Sequence, residues 1–283
     1  MRSPVRELTI RPAMYSVLSI AGSDPTGGAG LQADLQVFNA LGVHGAAVPS
    51  ALTIQNGLRV QRVLPVFPSV LLETLRTTID TIEPSAIKIG MLATDDVVRN
   101  VLLALAPLRR VPVVIDPVLA ASDGTPLLEK RAYAALRDLI HGRTLLTPNW
   151  PEAEILTNRS LERRRDAEDA ARELVLDLHL DGVLLKGGHR VDDADDLLVT
   201  RVRTASDARE GQDVDLEVEW LAGGRLPGDP VHGTGCALSA AIAAHLARGE
   251  ALRESVVDAR AFVRRAIEAA HSLGNGARIL TFG

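Results

Sequence analysis

The sequence predicts an α/β fold, in which a mostly parallel central sheet is covered by helices on both faces. Short apolar segments alternate with amphipathic ones along nearly the whole chain, which is typical of parallel strands joined by helices. Of the 283 residues, 46% are hydrophobic, enough for one sizeable core. No linker, internal repeat or low-complexity tract interrupts the alternation, so we expect a single domain over residues 14–283 after a tail at residues 1–13.

In the first half of the chain, apolar strands are followed by helices. A predicted strand at 16–21 precedes a glycine-rich loop at 22–30 and a helix at about 31–41. The next strand, at 46–54, contains Pro49, which places its early part at a sheet edge or in a bulge. The alternation continues with a helix at 71–82, a strand at 86–91, a helix at 95–105 and a strand at 111–117.

The second half repeats the pattern with one interruption. We predict a helix at 128–140, a strand at 144–147, helices near 151–156 and 167–178, and a strand at 182–186. The acidic segment 192–220 breaks the rhythm, and we expect it to form two exposed antiparallel strands, at 196–201 and 216–220, as a structural decoration. A run of small and apolar residues then predicts a buried helix beginning near Cys236, and an amphipathic helix follows at about 256–270.

Composition argues against several classes of partner. The net charge is −5 and only 3% of residues are aromatic, so neither a basic surface nor stacking platforms for nucleic acid are expected. Apolar runs are interrupted before they reach about 18 residues, so we expect no membrane span. One cysteine cannot form an internal disulfide, and no signal peptide is recognisable, so we expect a soluble cytoplasmic protein.

The strongest single motif is Gly233-Thr234-Gly235-Cys236, which leads directly into the predicted buried helix. The first N–H groups of a helix lack internal partners and lie at the positive end of its dipole, so this segment can bind an anion. Within such a cluster the pKa of the Cys236 thiol is expected to fall, which suits a base or a ligand contact. The alternative is a glycine turn before a core helix, with an inert cysteine.

Polar residues also follow several predicted strands, where they would surround one cleft. Asp116 and Glu152 can hold Mg²⁺, mostly through water, and Lys186 can reach a phosphate. With the anion site at 233–236, these groups suit phosphoryl transfer. Each has a structural alternative: Asp116 can simply end a strand, Lys186 can be solvated, and Glu152 can favour a helix N-terminus.

A dinucleotide-dependent oxidoreductase is the competing class of enzyme. Residues 28–33 match the G-x-G-x-x-A pattern after a first strand. That pattern requires an acidic residue about twenty positions further on, yet none lies between Asp34 and Glu73. Walker A, HExxH and GxSxG motifs are absent from the sequence, so a P-loop NTPase, a zinc protease and an α/β-hydrolase have no support.

Several motifs in a fixed order carry a resemblance to a known family. They are residues 21–35 (AGSDPTGGAGLQADL), 51–56 (ALTIQN), 88–92 (KIGML), 146–153 (LTPNWPEA), 185–189 (LKGGH) and 232–236 (HGTGC). The chain resembles the hydroxymethylpyrimidine/phosphomethylpyrimidine kinases of thiamine biosynthesis, in the ribokinase superfamily, from about residue 16 to residue 267. The resemblance implies a ribokinase-like three-layer α/β/α sandwich.

The resemblance also implies roles for individual residues. The aminopyrimidine pocket corresponds to Gly22, Asp34, Gln55 and Met91; the ATP and magnesium region to Asp116, Asn149, Glu152, Lys186 and Thr234; and the catalytic anion hole to Gly233, Thr234, Gly235 and Cys236, with Lys186 beside it. Most members of the superfamily have an aspartate at the position of Cys236, whereas a cysteine is characteristic of the pyrimidine kinases and of some pyridoxal kinases. The chain departs from the family pattern at residues 122–124, 230–231 and 275–278.

The resemblance implies ATP- and Mg²⁺-dependent phosphorylation of 4-amino-5-hydroxymethyl-2-methylpyrimidine and of its monophosphate, by a homodimer. A pyridoxal kinase of the same fold is the alternative, because both acceptors are flat heteroaromatic rings with a hydroxymethyl group. A non-catalytic ligand-binding protein on the same scaffold is a further alternative. The implied partners are the pyrimidine and ATP.

Overall fold

A computed structural model describes residues 14–189, 194–202, 214–272, 274 and 276–282, so the predicted tail at 1–13 lies outside the described residues. The strands of the main sheet are β1 Ser16–Ser23, β2 His44–Gln55, β3 Val60–Pro65, β4 Ala86–Ile89, β5 Val113–Ile115, β6 Leu145–Leu146, β7 Gly182–Leu185, β8 Asp196–Arg201 and β9 Leu216–Leu221. The helices are α1 Gly30–Ala40, α2 Pro68–Ile82, α3 Asp95–Leu105, α4 Tyr133–Ile140, α5 Trp150–Thr157, α6 Arg164–Asp177, α7 Thr234–Ala247 and α8 Leu252–Glu268.

The central sheet has the order β3-β2-β1-β4-β5-β6-β7-β8-β9. From β2 to β7 the neighbouring strands are parallel, and β3, β8 and β9 add antiparallel pairs at the two ends. The mostly parallel α/β sandwich predicted from the alternation is therefore confirmed. The chain leaves β1 on one side for β2 and returns on the other side for β4, and ligands of open α/β sheets bind at such a reversal.

Two apolar cores lie on opposite faces of this sheet. One contains buried residues of α2 to α6, and the other those of α1, α7 and α8. Neighbouring strand residues face different cores, as Val17 and Leu18 do. Among the described residues, no helix is both long and apolar enough to cross a membrane.

Helix boundaries follow from local capping. The Thr94 side chain accepts a hydrogen bond from the Val97 N–H, so α3 begins at Asp95 as predicted. The predicted helix at 128–140 begins only at Tyr133, after a short 3-10 turn at Lys130–Ala132. Helix α7 begins at Thr234, two residues before the predicted start, because Gly233 forms its N-cap. Every residue of α7 from Ala237 onward is buried, as the run of small residues predicted.

Two segments differ from the sequence-based prediction. The segment 196–201 is not an exposed decoration: β8 pairs with β7, extends the main sheet, and buries Leu197, Leu198 and Val199. Residues 190–193 and 203–213 lie outside the described residues.

Strand β3 was not predicted, and it pairs with β2 only from Ala51 onward, so Pro49 lies at the sheet edge as expected. A second small sheet, also unpredicted, joins β10 Val231–His232, β11 His271–Ser272 and β12 Arg278–Ile279.

Candidate active site

A cavity of about 900 Å³ opens at the carboxyl ends of the parallel strands. It is large enough for a nucleotide and a small second ligand. The sequence-predicted residues that line it are Gly22, Gln55, Met91, Asp116, Asn149, Glu152, Lys186, Gly233, Thr234, Gly235 and Cys236. The structure therefore brings together all the candidate residues except Asp34.

The N-terminus of α7 forms one wall of this cavity. Gly233 has a φ of 82°, in the left-handed region that favours glycine, and a Cβ there would lie 1.8 Å from the carbonyl oxygen of Gly28. The glycine-rich loop after β1 thus packs directly on the turn that begins α7. This contact leaves the N–H groups of the first helical turn beside the cavity, where they can bind an anion.

Lys186 and Asp116 form an ion pair next to this helix end. Lys186 Nζ lies 2.6 Å from Asp116 Oδ1. A Cβ on Gly235 would lie 3.3 Å from Lys186 Nζ and 3.6 Å from Asp116 Oδ2, so both charges border the first turn of α7. Burial lowers the pKa of Lys186, but the carboxylates of Asp116 and Glu152 more than reverse this, and the net pKa is raised. The ammonium is therefore charged at neutral pH.

Asn149 and Glu152 form a capping box at the start of α5. The Asn149 side chain accepts from the Glu152 N–H at 2.9 Å, and Glu152 Oε2 accepts from the Asn149 N–H at 2.8 Å. The helix-start role considered for Glu152 is thus present, and its side chain also lines the cavity. Burial, followed by the charge of Asp116, raises the pKa of Glu152 to about 7, although Lys186 opposes the shift.

The cavity wall also contains Gln55, Met91 and Gly22. Gln55 Nε2 donates to Thr53 Oγ1 at 2.7 Å, and Thr53 Oγ1 donates to the Ser23 carbonyl at 2.8 Å, which fixes the orientation of the amide. Gly22 leaves room for the Met91 sulfur, which would lie 2.9 Å from a Cβ at this position. Gln55 and Met91 thus offer a polar and an apolar group to a ligand in the cavity.

Asp34 does not line the cavity, unlike the other residues that the resemblance assigned to the pyrimidine pocket. Its carboxylate is fully buried and accepts from Lys88 Nζ at 3.0 and 2.8 Å and from Ser19 Oγ at 2.5 Å. Lys88, which does line the cavity, was missed by the sequence analysis. The sequence did contain a signal for Lys88: it is the one charged residue in the apolar strand β4. A lysine buried in such a strand needs an oppositely charged partner.

The predicted fall in the pKa of Cys236 is also wrong. Burial raises the pKa of this thiol, and Asp116 and Asp34 add to the increase. The charge of Lys88 and a backbone hydrogen bond from Gly30 oppose the increase without reversing it. The neutral thiol is therefore favoured, and the cation that acts most on it is Lys88 rather than Lys186.

A partly buried pair, also missed in the sequence, joins the two loops of the site. His232 Nε2 lies 2.9 Å from Asp24 Oδ2, and Asp24 also accepts from the N–H groups of Thr26 and Ala29. The loop that matches the dinucleotide pattern is thereby held against the segment before Gly233. It forms a wall of this site.

Known proteins resemble the chain in both structure and sequence. Phosphomethylpyrimidine kinase of Clostridium difficile 630 is 31% identical, with a TM-score of 0.74 over 89% of this chain and 99% of that one. Pyridoxal kinase of Bacillus subtilis is 29% identical, with a TM-score of 0.78 over 95% of this chain and 97% of that one. The three-layer fold and the site at the end of α7, together with these similarities, define a ribokinase-like kinase.

Sequence comparison identifies the family. Hydroxymethylpyrimidine/phosphomethylpyrimidine kinase of Rhizobium meliloti is 40% identical over 266 residues, 92% of each chain, and that of Bacillus subtilis is 35% identical over 271 residues, 93% of each. The chain spans 51% of the thiamine biosynthesis bifunctional protein of Geobacter sulfurreducens, with 35% identity. The sequence profile of phosphomethylpyrimidine kinase matches residues 24–281, and the chain belongs to this family.

Proposed function

We propose that this protein transfers the γ-phosphoryl group of ATP to the hydroxymethyl group of 4-amino-5-hydroxymethyl-2-methylpyrimidine, and then a second phosphoryl group to the monophosphate, in thiamine biosynthesis. The observation that carries the proposal is the single cavity that joins the α7 N-terminus, the Lys186–Asp116 pair and Gln55. Family membership supports the same reaction, because the curated relatives bear the name of this kinase.

The arrangement of charges suits phosphoryl transfer. In this reaction the protein acts mainly by positioning the reactants and by stabilising negative charge. The N–H groups at the start of α7 offer donors to the transferred phosphoryl group, and Lys186 offers a cation beside them. A relative, the pyridoxal kinase of Staphylococcus aureus, is known in complex with AMP-PCP and pyridoxal, which supports a nucleotide and a ring in neighbouring halves of one cavity.

The donor set next to Lys186 fits Mg²⁺. Asp116 Oδ2 is not used in the ion pair with Lys186, and the Glu152 carboxylate lies close enough to Asp116 for each charge to affect the other. Magnesium prefers one or two carboxylates, with water and phosphate oxygens completing its shell. Bound there, it would neutralise charge on the phosphates of ATP, and Asp116 and Glu152 would hold it, mostly through water.

The direct test is a product analysis with ATP, Mg²⁺ and three acceptors: the pyrimidine alcohol, its monophosphate and pyridoxal. We expect the alcohol to give the monophosphate and then the diphosphate, and EDTA to abolish turnover. Formation of pyridoxal phosphate without any phosphorylated pyrimidine would assign the pyridoxal kinase alternative. If ATP were not consumed with any acceptor, a non-catalytic binding protein would be favoured.

We infer that Gln55 recognises the pyrimidine edge, since an amide offers both a donor and an acceptor to a ring nitrogen beside an amine. Gln55→Leu leaves those ring groups unpaired, at a cost of about 1–3 kcal/mol. We therefore expect kcat/KM for the pyrimidine alcohol to fall roughly ten- to a hundredfold. Thr53→Val, which removes only the hydroxyl that orients the amide, is the matched control and should have a smaller effect. An unchanged preference for pyrimidine over pyridoxal in Gln55→Leu would remove this residue from the pocket.

The raised pKa of Glu152 predicts a pH-dependent requirement for magnesium. With a pKa of about 7, the carboxyl group is largely protonated below pH 7 and ionised above it, and only the ionised form attracts Mg²⁺. The Mg²⁺ concentration for half-maximal activity should therefore rise as pH falls from 8 to 6, approaching tenfold per unit below pH 7. Glu152→Gln should weaken the response to Mg²⁺ and flatten this dependence. Glu154→Gln, on the same helix but outside the cavity, should behave as the wild type.

The neutral state of Cys236 predicts a flat pH profile above pH 7.5. If a thiolate took the acceptor proton, kcat would rise about tenfold per pH unit until the thiol ionised, above its ordinary pKa. Because burial favours the thiol, we expect kcat to change less than about threefold between pH 7.5 and 9, and Cys236→Ser to keep kcat within about tenfold. A steep rise that disappears in Cys236→Ser would instead assign the thiolate as the base.

We also infer a cytoplasmic homodimer. Leu52 and Leu64 are directly paired across β2 and β3, and both side chains are exposed, so a second copy of the chain would cover an apolar surface. Sedimentation velocity should show a dimer for the wild type and a smaller species for Leu52→Lys combined with Leu64→Glu. A wild-type monomer at micromolar concentration would refute the inference.

A further inference from the structure

The buried pair of Lys88 and Asp34 lies at the base of the cavity and takes no part in the roles described so far. Both side chains are fully buried, and Lys88 Nζ donates to both carboxylate oxygens of Asp34. Ser19 Oγ donates to the same carboxylate, so Asp34 is held on two sides. Removing two charges from water costs several kcal/mol per ion before their mutual attraction is counted. A pair of apolar side chains of similar size often makes a protein equally stable, so stability alone does not explain the ion pair. A role in the reaction would account for the pair.

Of the two residues of the pair, the lysine is the one nearer the cavity. Lys88 lines the cavity and Asp34 does not. An ammonium group has three N–H donors, of which Asp34 takes two, and among the described residues no further hydrogen-bond acceptor for Lys88 Nζ is found. Gly90 keeps space beside this nitrogen, because a Cβ at that position would lie 2.9 Å from Nζ.

Lys88 also lies within electrostatic reach of the reaction centre. Burial lowers the pKa of Lys88, but the charge of Asp34 and, to a smaller extent, that of Asp116 raise it to about 12. Cys236 is in the first turn of α7, where the anion site is, and Asp116 pairs with Lys186 beside the same turn. An acceptor oxygen placed for transfer near Cys236 would therefore lie close to a permanent positive charge.

The two proposed phosphorylations place different charges at this point. In both, a bond forms between the acceptor oxygen and the γ-phosphorus, and the bond from that phosphorus to the oxygen bridging it to ADP breaks. In the first step the acceptor oxygen belongs to a neutral hydroxyl group, whose proton passes to the transferred phosphoryl group or to solvent. In the second it belongs to a phosphate monoester, which already carries about −1.5 to −2 charges at neutral pH and repels the triphosphate.

We propose that Lys88 serves the second phosphorylation more than the first, because its buried positive charge at the wall of the cavity attracts the phosphate of the monophosphate. The proposal rests on the proposed function, since it needs both acceptors to be substrates. Lys186 is paired with Asp116 and Lys88 with Asp34, so Lys88 supplies a second, separate positive charge at the wall of the cavity. Asp34 acts through Lys88, as the residue that positions the ammonium group.

The test compares kcat/KM for the two acceptors in a variant that lacks the pair. Lys88→Met alone would leave a buried carboxylate without its partner, so we combine it with Asp34→Asn. We expect this double variant to lose at least about tenfold more kcat/KM with the monophosphate than with the alcohol, because a charge within a few ångströms acts more strongly on a dianion than on a neutral group. Lys130→Met, which removes an exposed lysine, should leave the ratio unchanged.

Two further variants keep the proposal falsifiable. A second double variant, Asp34→Asn with Lys88→Gln, should lower the ratio of kcat/KM for the monophosphate to that for the alcohol by the same factor. Thermal melting shows which of the two double variants is better folded, and that variant decides the test. Asp34→Asn alone removes the charge that keeps the buried Lys88 protonated, so the ratio of monophosphate to alcohol should fall in this variant as well. Equal losses with the two acceptors in the double variants would mean that the pair is merely structural and would overturn the proposal. Failure of the wild-type protein to phosphorylate the alcohol would instead refute the proposed function.

Discussion

Gly233→Ala is expected to lower kcat by about 10²–10³ while the protein remains folded. A Cβ at this position would lie 1.8 Å from the Gly28 carbonyl oxygen, far inside van der Waals contact, and both partners belong to backbone. The turn before α7 or the glycine-rich loop must therefore move. Either movement shifts the N–H groups that begin α7, and a displacement of about 1 Å in a catalytic donor costs on the order of a hundredfold in rate.

Gly249→Ala is the matched control for this variant. Gly249 has a φ of 83°, almost the same as Gly233, but a Cβ there would meet nothing within 4 Å. Its substitution therefore carries only the left-handed backbone penalty, about 1–2 kcal/mol. We expect a lower melting temperature with an unchanged kcat for Gly249→Ala, measured by thermal unfolding and steady-state kinetics. If Gly233→Ala kept kcat within about threefold of the wild type, the end of α7 could not be the anion site.

The elements that the sequence predicted well are those whose signals are local. The α3 start depends on Thr94, and the burial of α7 depends on its own run of alanines and apolar residues. The site residues at strand ends were predictable for a related reason, since parallel strands bring their carboxyl ends to one edge of the sheet. The position of Lys186 beside Asp116, 70 residues apart in the chain, follows from that rule.

The features that were not predicted depend on contacts between distant segments. Strand β3 contains arginine and glutamine among its apolar residues, and only pairing with β2 makes it a strand. The burial of β8 was underestimated because its neighbours in sequence are acidic, whereas its own Leu197 and Val199 pack in one core and Leu198 packs in the other. The strand conformation of β3 and the burial of β8 both depend on pairing with a strand that is distant in sequence or on packing in the folded core. The pattern of residues within one segment carries no information about such contacts.

The pKa of Cys236 shows the same limit for electrostatics. A helix N-terminus and a nearby cation both lower a thiol pKa, and the sequence contains both signals. The opposing contributions, burial and the carboxylates of Asp116 and Asp34, are larger in sum and depend on the folded arrangement. The burial of Asp34 was not predicted for a similar reason: its partner Lys88 is 54 residues away, and of the two only the lysine lines the cavity.

After Gly233→Ala, the variant with the largest expected effect is Lys186→Met. This substitution should lower both kcat and the free energy of unfolding. The ammonium group is charged throughout the neutral range and lies beside the first turn of α7, where it can stabilise the transferred phosphoryl group. We expect kcat to fall by about 10²–10³. The variant also leaves the buried Asp116 carboxylate without its partner, which typically costs about 3–5 kcal/mol of the free energy of unfolding.

A second substitution separates these two effects. In Lys186→Met combined with Asp116→Asn, no unpaired charge remains at Asp116, so the free energy of unfolding should return to within about 1–2 kcal/mol of the wild type. Turnover should stay as low as in the single variant or fall further, because Asp116 is also a proposed magnesium ligand. Denaturant unfolding and single-turnover kinetics measure the two quantities independently. Recovery of kcat together with stability would mean that Lys186 only neutralises Asp116, and the phosphate-binding role assigned to this lysine would then be wrong.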